Sequence, residues 1–230
     1  MESEKLSLKF SNKVETKSLR IKSILIGALF LIAMAVYMAG SEMVAMVLNN
    51  VFKGQAFDAT LLRTGVVLEF LNSAAVIGIA VLLHPILEKF NKESALIYVV
   101  GRSLEAVLLL ASSVFALVLA YASPGAVQLS GTILLETRDL LFQTAMVVLG
   151  ASSIFLCEIL LKRGLVPRTL AILGLVGYIM LMFSGFMGLF GFQDQGMLLF
   201  IPGALFEIGF PLWLIIKGFK LERLQTEVEN

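Results

Sequence analysis

The chain predicts an all-α membrane protein, a single bundle of six transmembrane helices with both termini cytoplasmic. Two observations carry that reading. Six stretches, roughly residues 23–41, 65–86, 95–121, 140–161, 169–192 and 196–216, are apolar enough to cross a bilayer, and each supplies about the 20 residues that a helix needs to span ~30 Å of hydrocarbon. Of the 18 Lys and Arg residues, 14 fall on one side of these stretches, three (Lys53, Arg63 and Arg138) on the other, and Arg102 lies within a span. That asymmetry places the basic side in the cytoplasm and the protein in the cytoplasmic membrane. A composition that is 58% hydrophobic and 15% charged excludes an ordinary soluble domain. The net charge of +1 gives no reason to expect nucleic acid.

Residues 1–22 form a basic cytoplasmic leader. Lys5, Lys9, Lys13 and Lys17 recur every fourth residue beside Leu6, Phe10 and Val14, which suits either an interfacial helix on an anionic leaflet or a disordered tail. The first span imitates a signal peptide, with Ala33-Met34-Ala35 at the place of a cleavage site. The long leader and the apolar run continuing to Leu48 favour an uncleaved anchor, so the mature protein is expected to keep its first 35 residues. Residues 42–64 are too apolar for a solvated loop and are expected to extend span one, then lie along the outer surface. Short links at 87–94, 162–168 and 193–195 make successive helices antiparallel neighbours. Pro124-Gly125 reads as the turn after span three. The transmembrane domain covers 23–217, and 218–230 is a short cytoplasmic tail.

The charges inside the spans are the candidate functional residues, because a charge at the bilayer centre costs at least ~3 kcal/mol. Arg102 and Glu105, three apart, share a face of span three. Glu207 lies at a similar depth in span six, flanked by Pro202, Gly203, Gly209 and Pro211. Those four residues form a hinge in this reading, and the prolines predict a kinked or partly unwound helix around the carboxylate. Glu69, Asn72, Arg138, Asp139 and Gln143 form a second polar set nearer the outer face, readable as a vestibule or as the polar collar of helix ends. Glu158 is placed to reach Lys162, its i+4 neighbour. Gly174, Gly177, Gly185 and Gly188 read as close-packing positions. Gly-x-x-x-Glu occurs in both span three (Gly101–Glu105) and span six (Gly203–Glu207), which raises an inverted three-plus-three repeat.

Other chemistries find little support. Cys157 and His84 are each alone in the sequence, so there is no internal disulfide, no zinc or iron–sulfur ligand set and no two-histidine protease motif. No metal and no cofactor are expected, and an enzyme is disfavoured.

The stretches 72–85, 98–108, 162–174 and 202–219, with Arg138-Asp139, resemble an uncharacterised bacterial membrane family, domain-of-unknown-function family 4386. Arg-x-Leu-Glu-Ala at residues 102–106 and Pro-Gly-Ala-Leu-Phe-Glu at residues 202–207 carry the likeness most specifically. The resemblance implies a small bacterial integral membrane protein and supplies no reaction. Three readings follow for the midplane charges. They bind or transport a small anionic or protonatable solute, they lock helix packing in an accessory protein, or they belong to a lipid-acting enzyme. The bilayer is the expected partner, with a small molecule or a proton as ligand and a homo-oligomer left open.

Overall fold

The computed structural model describes the backbone of residues 2–56, 58–192 and 197–220, with side chains from Lys17 onward except at 57, 124, 128–130 and 193–197. Every regular element in it is helical: α1 (Glu2–Phe52), α2 (Ala59–Leu87), α3 (Lys92–Tyr121), α4 (Pro124–Arg163), α5 (Arg168–Leu189) and α6 (Phe200–Ile216), the last preceded by a 3-10 turn at Met197–Leu199. Helices α1 to α5 contain segments long and apolar enough to cross a membrane, and α6 is a shorter apolar helix of 17 residues. The chain therefore has the build of a multi-pass membrane protein. Its outward surface agrees: Val81, Leu96, Leu104, Val118, Phe183 and Ile216 are all exposed.

Local chemistry sets the helix ends. Asp58 caps α2 by accepting from the Thr60 and Leu61 N–H groups at 2.8 and 3.2 Å, and Asn91 caps α3 by accepting from Ser94 N at 3.0 Å. Pro124, expected in a turn, instead opens α4 directly after the Ser123 cap. Proline is at home there because the first helical N–H has no intrahelical partner anyway. Helix α4 thus begins well before residue 140 and ends at Gly164, whose φ of 61° supplies the left-handed cap. The 193–195 link lies outside the described residues.

Each helix packs on its neighbour in sequence, and α6 returns to pack on α1, closing a ring. Small residues make the close approaches. A Cβ on Gly27 of α1 would stand 2.7 Å from the Pro211 carbonyl oxygen of α6, and one on Gly177 of α5 would stand 2.7 Å from the Gly203 backbone of α6. Lipid gives helices no hydrophobic reason to associate, so backbone proximity of this kind is what van der Waals packing needs. Arg20 fastens the closure, donating to the Leu214 and Ile215 carbonyls at 2.9 and 2.5 Å. A guanidinium on the last carbonyls of a helix satisfies orphan acceptors and opposes the negative end of its dipole.

These contacts sort the helix ends into two faces. Arg20, the α6 end, the α4–α5 turn (Lys220 N to Leu165 O, 3.0 Å) and the α2–α3 turn (Arg163 over the Phe90 ring, 5.5 Å) lie together. On the opposite face Arg63 of α2 donates to the Tyr121 hydroxyl of α3 at 3.0 Å. There the segment from residue 42 onward departs from its expected course along the surface. It continues α1 to Phe52, burying Val44, Val47 and Leu48 against Leu62 and Val66 of α2 and Ala116, Leu119 and Ala120 of α3. Apolar side chains had a core to enter, so α2 begins at Ala59 rather than 65.

Next to this outer core a polar clasp joins three helices. Arg138 of α4 reaches Glu69 of α2 at 2.7 Å and donates to the Ser112 carbonyl of α3 at 2.9 Å. Ser113 of α3 donates to the other Glu69 oxygen. Glu69 is 3% exposed, so these partners stand in for the water it lacks. Removing one partner of a buried pair strands the other at a cost of roughly 3–5 kcal/mol, whereas removing both is far milder. Arg138→Leu should therefore sharply lower the thermal midpoint in detergent, and Glu69→Leu combined with Arg138→Leu should recover most of it. A single variant as stable as wild type would show that the clasp does not hold the helices.

Candidate functional site

A cavity of about 200 Å³ lies inside the ring. Helix α1 contributes Phe30, Met34 and Tyr37 to its wall, α2 Asn72, α3 Arg102 and Glu105, α4 Phe142 and α6 Glu207. The three midplane charges read from the sequence thus face one interior space, as burial in lipid demands. At this size the cavity exceeds a ~150 Å³ void that holds a benzene-sized guest.

The three charges are not equivalently held. Arg102 and Glu105 are each 3% exposed and pair with each other, Nη1 to Oε2 at 2.9 Å. The pair is i,i+3 on one helix, and the contact has ion-pair distance without hydrogen-bond alignment at Glu105 Oε2. Arg102 Nε has no hydrogen-bond partner, and the guanidinium lies 6.0 Å from the centre of the Phe30 ring. Glu207 is partly buried and accepts a hydrogen bond from the Tyr178 hydroxyl of α5 at 3.2 Å. Tyr178 is itself fixed, packed edge-on against Phe206 with ring centres 5.5 Å apart. The site therefore counts two carboxyl groups to one cation.

Helix α6 presents Glu207 without breaking. Residues 200–216 are helical throughout, so the unwinding that was one expected outcome between Pro202 and Pro211 does not occur. Pro202 falls in the first turn, where its missing N–H costs nothing. Pro211 removes only the bond that its N–H would make to the Glu207 carbonyl. Buried Phe206 and Phe210 and the α1 contact at Gly27 hold the helix through that gap. Gly203 touches the α5 backbone and Gly209 approaches Leu170, so both serve packing here. The two Gly-x-x-x-Glu motifs bring their glutamates to one cavity, yet their glycines meet different kinds of neighbour: Gly101 meets Ser152 of α4, Gly203 meets Gly177 of α5.

The second polar set divides. Glu69 and Arg138 form the clasp. Asn72 turns into the inner cavity. Gln143 packs on α5, where a Cβ on Gly188 would stand 2.4 Å from its Cδ, and its Oε1 has no hydrogen-bond partner. Arg138 and Asp139 line a second cavity of about 380 Å³ nearer the face that carries Arg63 and Tyr121, with Tyr37, Ser41, Asn49, Ser112 and Phe142. Tyr37 and Phe142 border both cavities, and their rings stack with centres 6.3 Å apart and planes 5° from parallel. Neither they nor Tyr178 stood out in the sequence, where an aromatic residue on an apolar helix looks like any other core residue. Glu158 and Lys162 pair as their spacing indicates, at 2.5 Å.

Among the described residues no group of three or more His, Cys, Asp or Glu side chains is placed to hold a metal ion. No curated protein and no solved structure matches the chain. Residues 25–218, which include all six helices in whole or in large part and every charge of the inner cavity, match the family described as Domain of unknown function (DUF4386), and the chain belongs to that family.

Proposed function

We propose that the ring is a membrane-embedded binding and transport unit for a small protonatable solute, with Glu207 as the proton-exchanging group. The observation that carries this is the uneven pairing in the inner cavity. Arg102 and Glu105 pair at ion-pair distance on one helix, whereas Glu207 takes its hydrogen bond from the Tyr178 hydroxyl. A site with one more acid than base favours a proton or a solute carrying one over an anion. The adjoining outer cavity supports a route, with the stacked Tyr37–Phe142 pair standing between it and the charges. A packing lock is the weaker reading for this trio, because its ion pair lies within one helix and its ties to other helices are a single hydrogen bond from Tyr178 and the approach of Arg102 to the Phe30 ring. Glu69 and Arg138, by contrast, form an ion pair between two helices.

In this reading α1 to α6 all span the bilayer, α6 doing so with help from the residues before it. The face carrying Arg20, Lys89, Lys92, Lys162, Arg163, Arg168, Lys217 and Lys220 is cytoplasmic, in a bacterial cytoplasmic membrane. Cysteine reporters in a Cys157→Ser background check this. Asn91→Cys should label with an impermeant thiol reagent from the cytoplasmic side alone, and Gln55→Cys from the outer side alone. Labelling of Asn91→Cys in intact cells would reverse the orientation.

Site variants separate function from packing. Arg102→Leu alone should reduce abundance, since it strands Glu105 at roughly 3–5 kcal/mol. Arg102→Leu with Glu105→Gln and Glu207→Gln should restore abundance and abolish proton-coupled flux in proteoliposomes. Glu207→Gln, which retains an acceptor for Tyr178, should be as abundant as wild type with flux reduced at least about tenfold, the scale of losing a proton-transfer group. Wild-type flux in the triple variant would end the transport reading.

A further inference from the structure

A third concavity, about 430 Å³, opens on the basic face at the α4–α5 turn. Lys162, Arg163, Arg168 and Lys220 line it together with Leu161, Gly164 and Val166, so among the described residues every charged side chain in the wall is a cation. The fold gathers these from three separate segments. Gly164 turns the chain sharply between Arg163 and Arg168, and the hydrogen bond from Lys220 N to Leu165 O brings the segment after α6 across the same turn. Lys162 is partly neutralised by Glu158 at 2.5 Å, and Arg163 also lies over the Phe90 ring. Arg168 and Lys220 are both exposed. Holding four like charges around one recess opposes their mutual repulsion, which an anion between them relieves.

We propose that this recess binds a phosphate-type oxyanion at the membrane surface. The chemistry fits the phosphodiester headgroup of an acidic phospholipid and free inorganic phosphate alike. Arginines offer paired N–H donors to two phosphate oxygens, and lysines add charge around them. Basic pockets between helices at the cytoplasmic surface are suited to such headgroups. The site is separate from the inner cavity, with which it shares no lining residue.

Full-length protein in neutral phosphatidylcholine nanodiscs is titrated with phosphatidylglycerol, and retained lipid is counted by native mass spectrometry. Arg168→Gln with Lys220→Gln should weaken retention by roughly 20-fold, from about fivefold for each cation removed near an anion. Lys17→Gln with Lys22→Gln, on the same face but outside the recess, should weaken it less than about threefold. Inorganic phosphate added to the wild type then distinguishes the sources. Competition means that the oxyanion alone suffices, and its absence with lipid still retained means that the headgroup is read with its lipid. Equal losses in the two double variants would reduce the recess to diffuse surface charge and overturn the proposal, as would no retention by wild type. Should the recess double variant fail to purify, Lys220→Gln alone, at an exposed position after α6, decides by the same comparison at about fivefold.

Discussion

A guanidinium buried among apolar helices is the constraint around which the rest of this molecule is arranged. Arg102 is 3% exposed, and an unpaired charge at such a place is among the costliest things a membrane protein can hold. Its helix answers locally, with Glu105 one turn away. The ring answers globally, by turning both groups inward and closing α6 back onto α1 so that lipid meets apolar side chains. The glycine contacts at Gly27, Gly177 and Gly203 and the Arg20 bonds to the end of α6 are what allow that closure.

The bundle carries two charged devices that do different work. Glu69 and Arg138 bridge α2 and α4 and draw in Ser112 and Ser113 of α3, so they tie helices together. Arg102 and Glu105 pair within α3, and the guanidinium reaches another helix only at the Phe30 ring of α1. They set the polarity of a cavity whose remaining acid, Glu207, is delivered from α6 and steadied by Tyr178 of α5. A structural pair is satisfied on all sides. This trio is satisfied unevenly, which is the basis of the binding reading proposed for it.

Much of this was legible in the sequence, for reasons that particular residues make plain. Hydropathy marks a span wherever 20 apolar residues run together, so α1 to α5 were found, and depth alone made Arg102, Glu105 and Glu207 face inward. The start of α4 was misplaced because Pro124-Gly125 signals a turn as readily as a first helical turn, and only the Ser123 cap decides between them. That α6 stays helical through Pro211 was not readable, because the cost of that proline depends on what packs around it, namely Phe206, Phe210 and α1. The Glu69–Arg138 pairing spans 69 positions, and rotation of one helix about its axis relative to another is not written in either. That same rotation sent Asn72 inward and Gln143 onto α5, dividing a set that spacing had grouped.

The central claim is that Glu207 exchanges a proton inside the membrane while the Arg102–Glu105 pair stays fixed. Infrared difference spectra of the protein in vesicles, recorded across a step in external pH, resolve the C=O stretch of protonated carboxyl groups and test it directly. The account predicts a pH-responsive carboxyl band in the wild type that is absent in Glu207→Gln. A responsive band that survives Glu207→Gln, or no such band in the wild type, would contradict it.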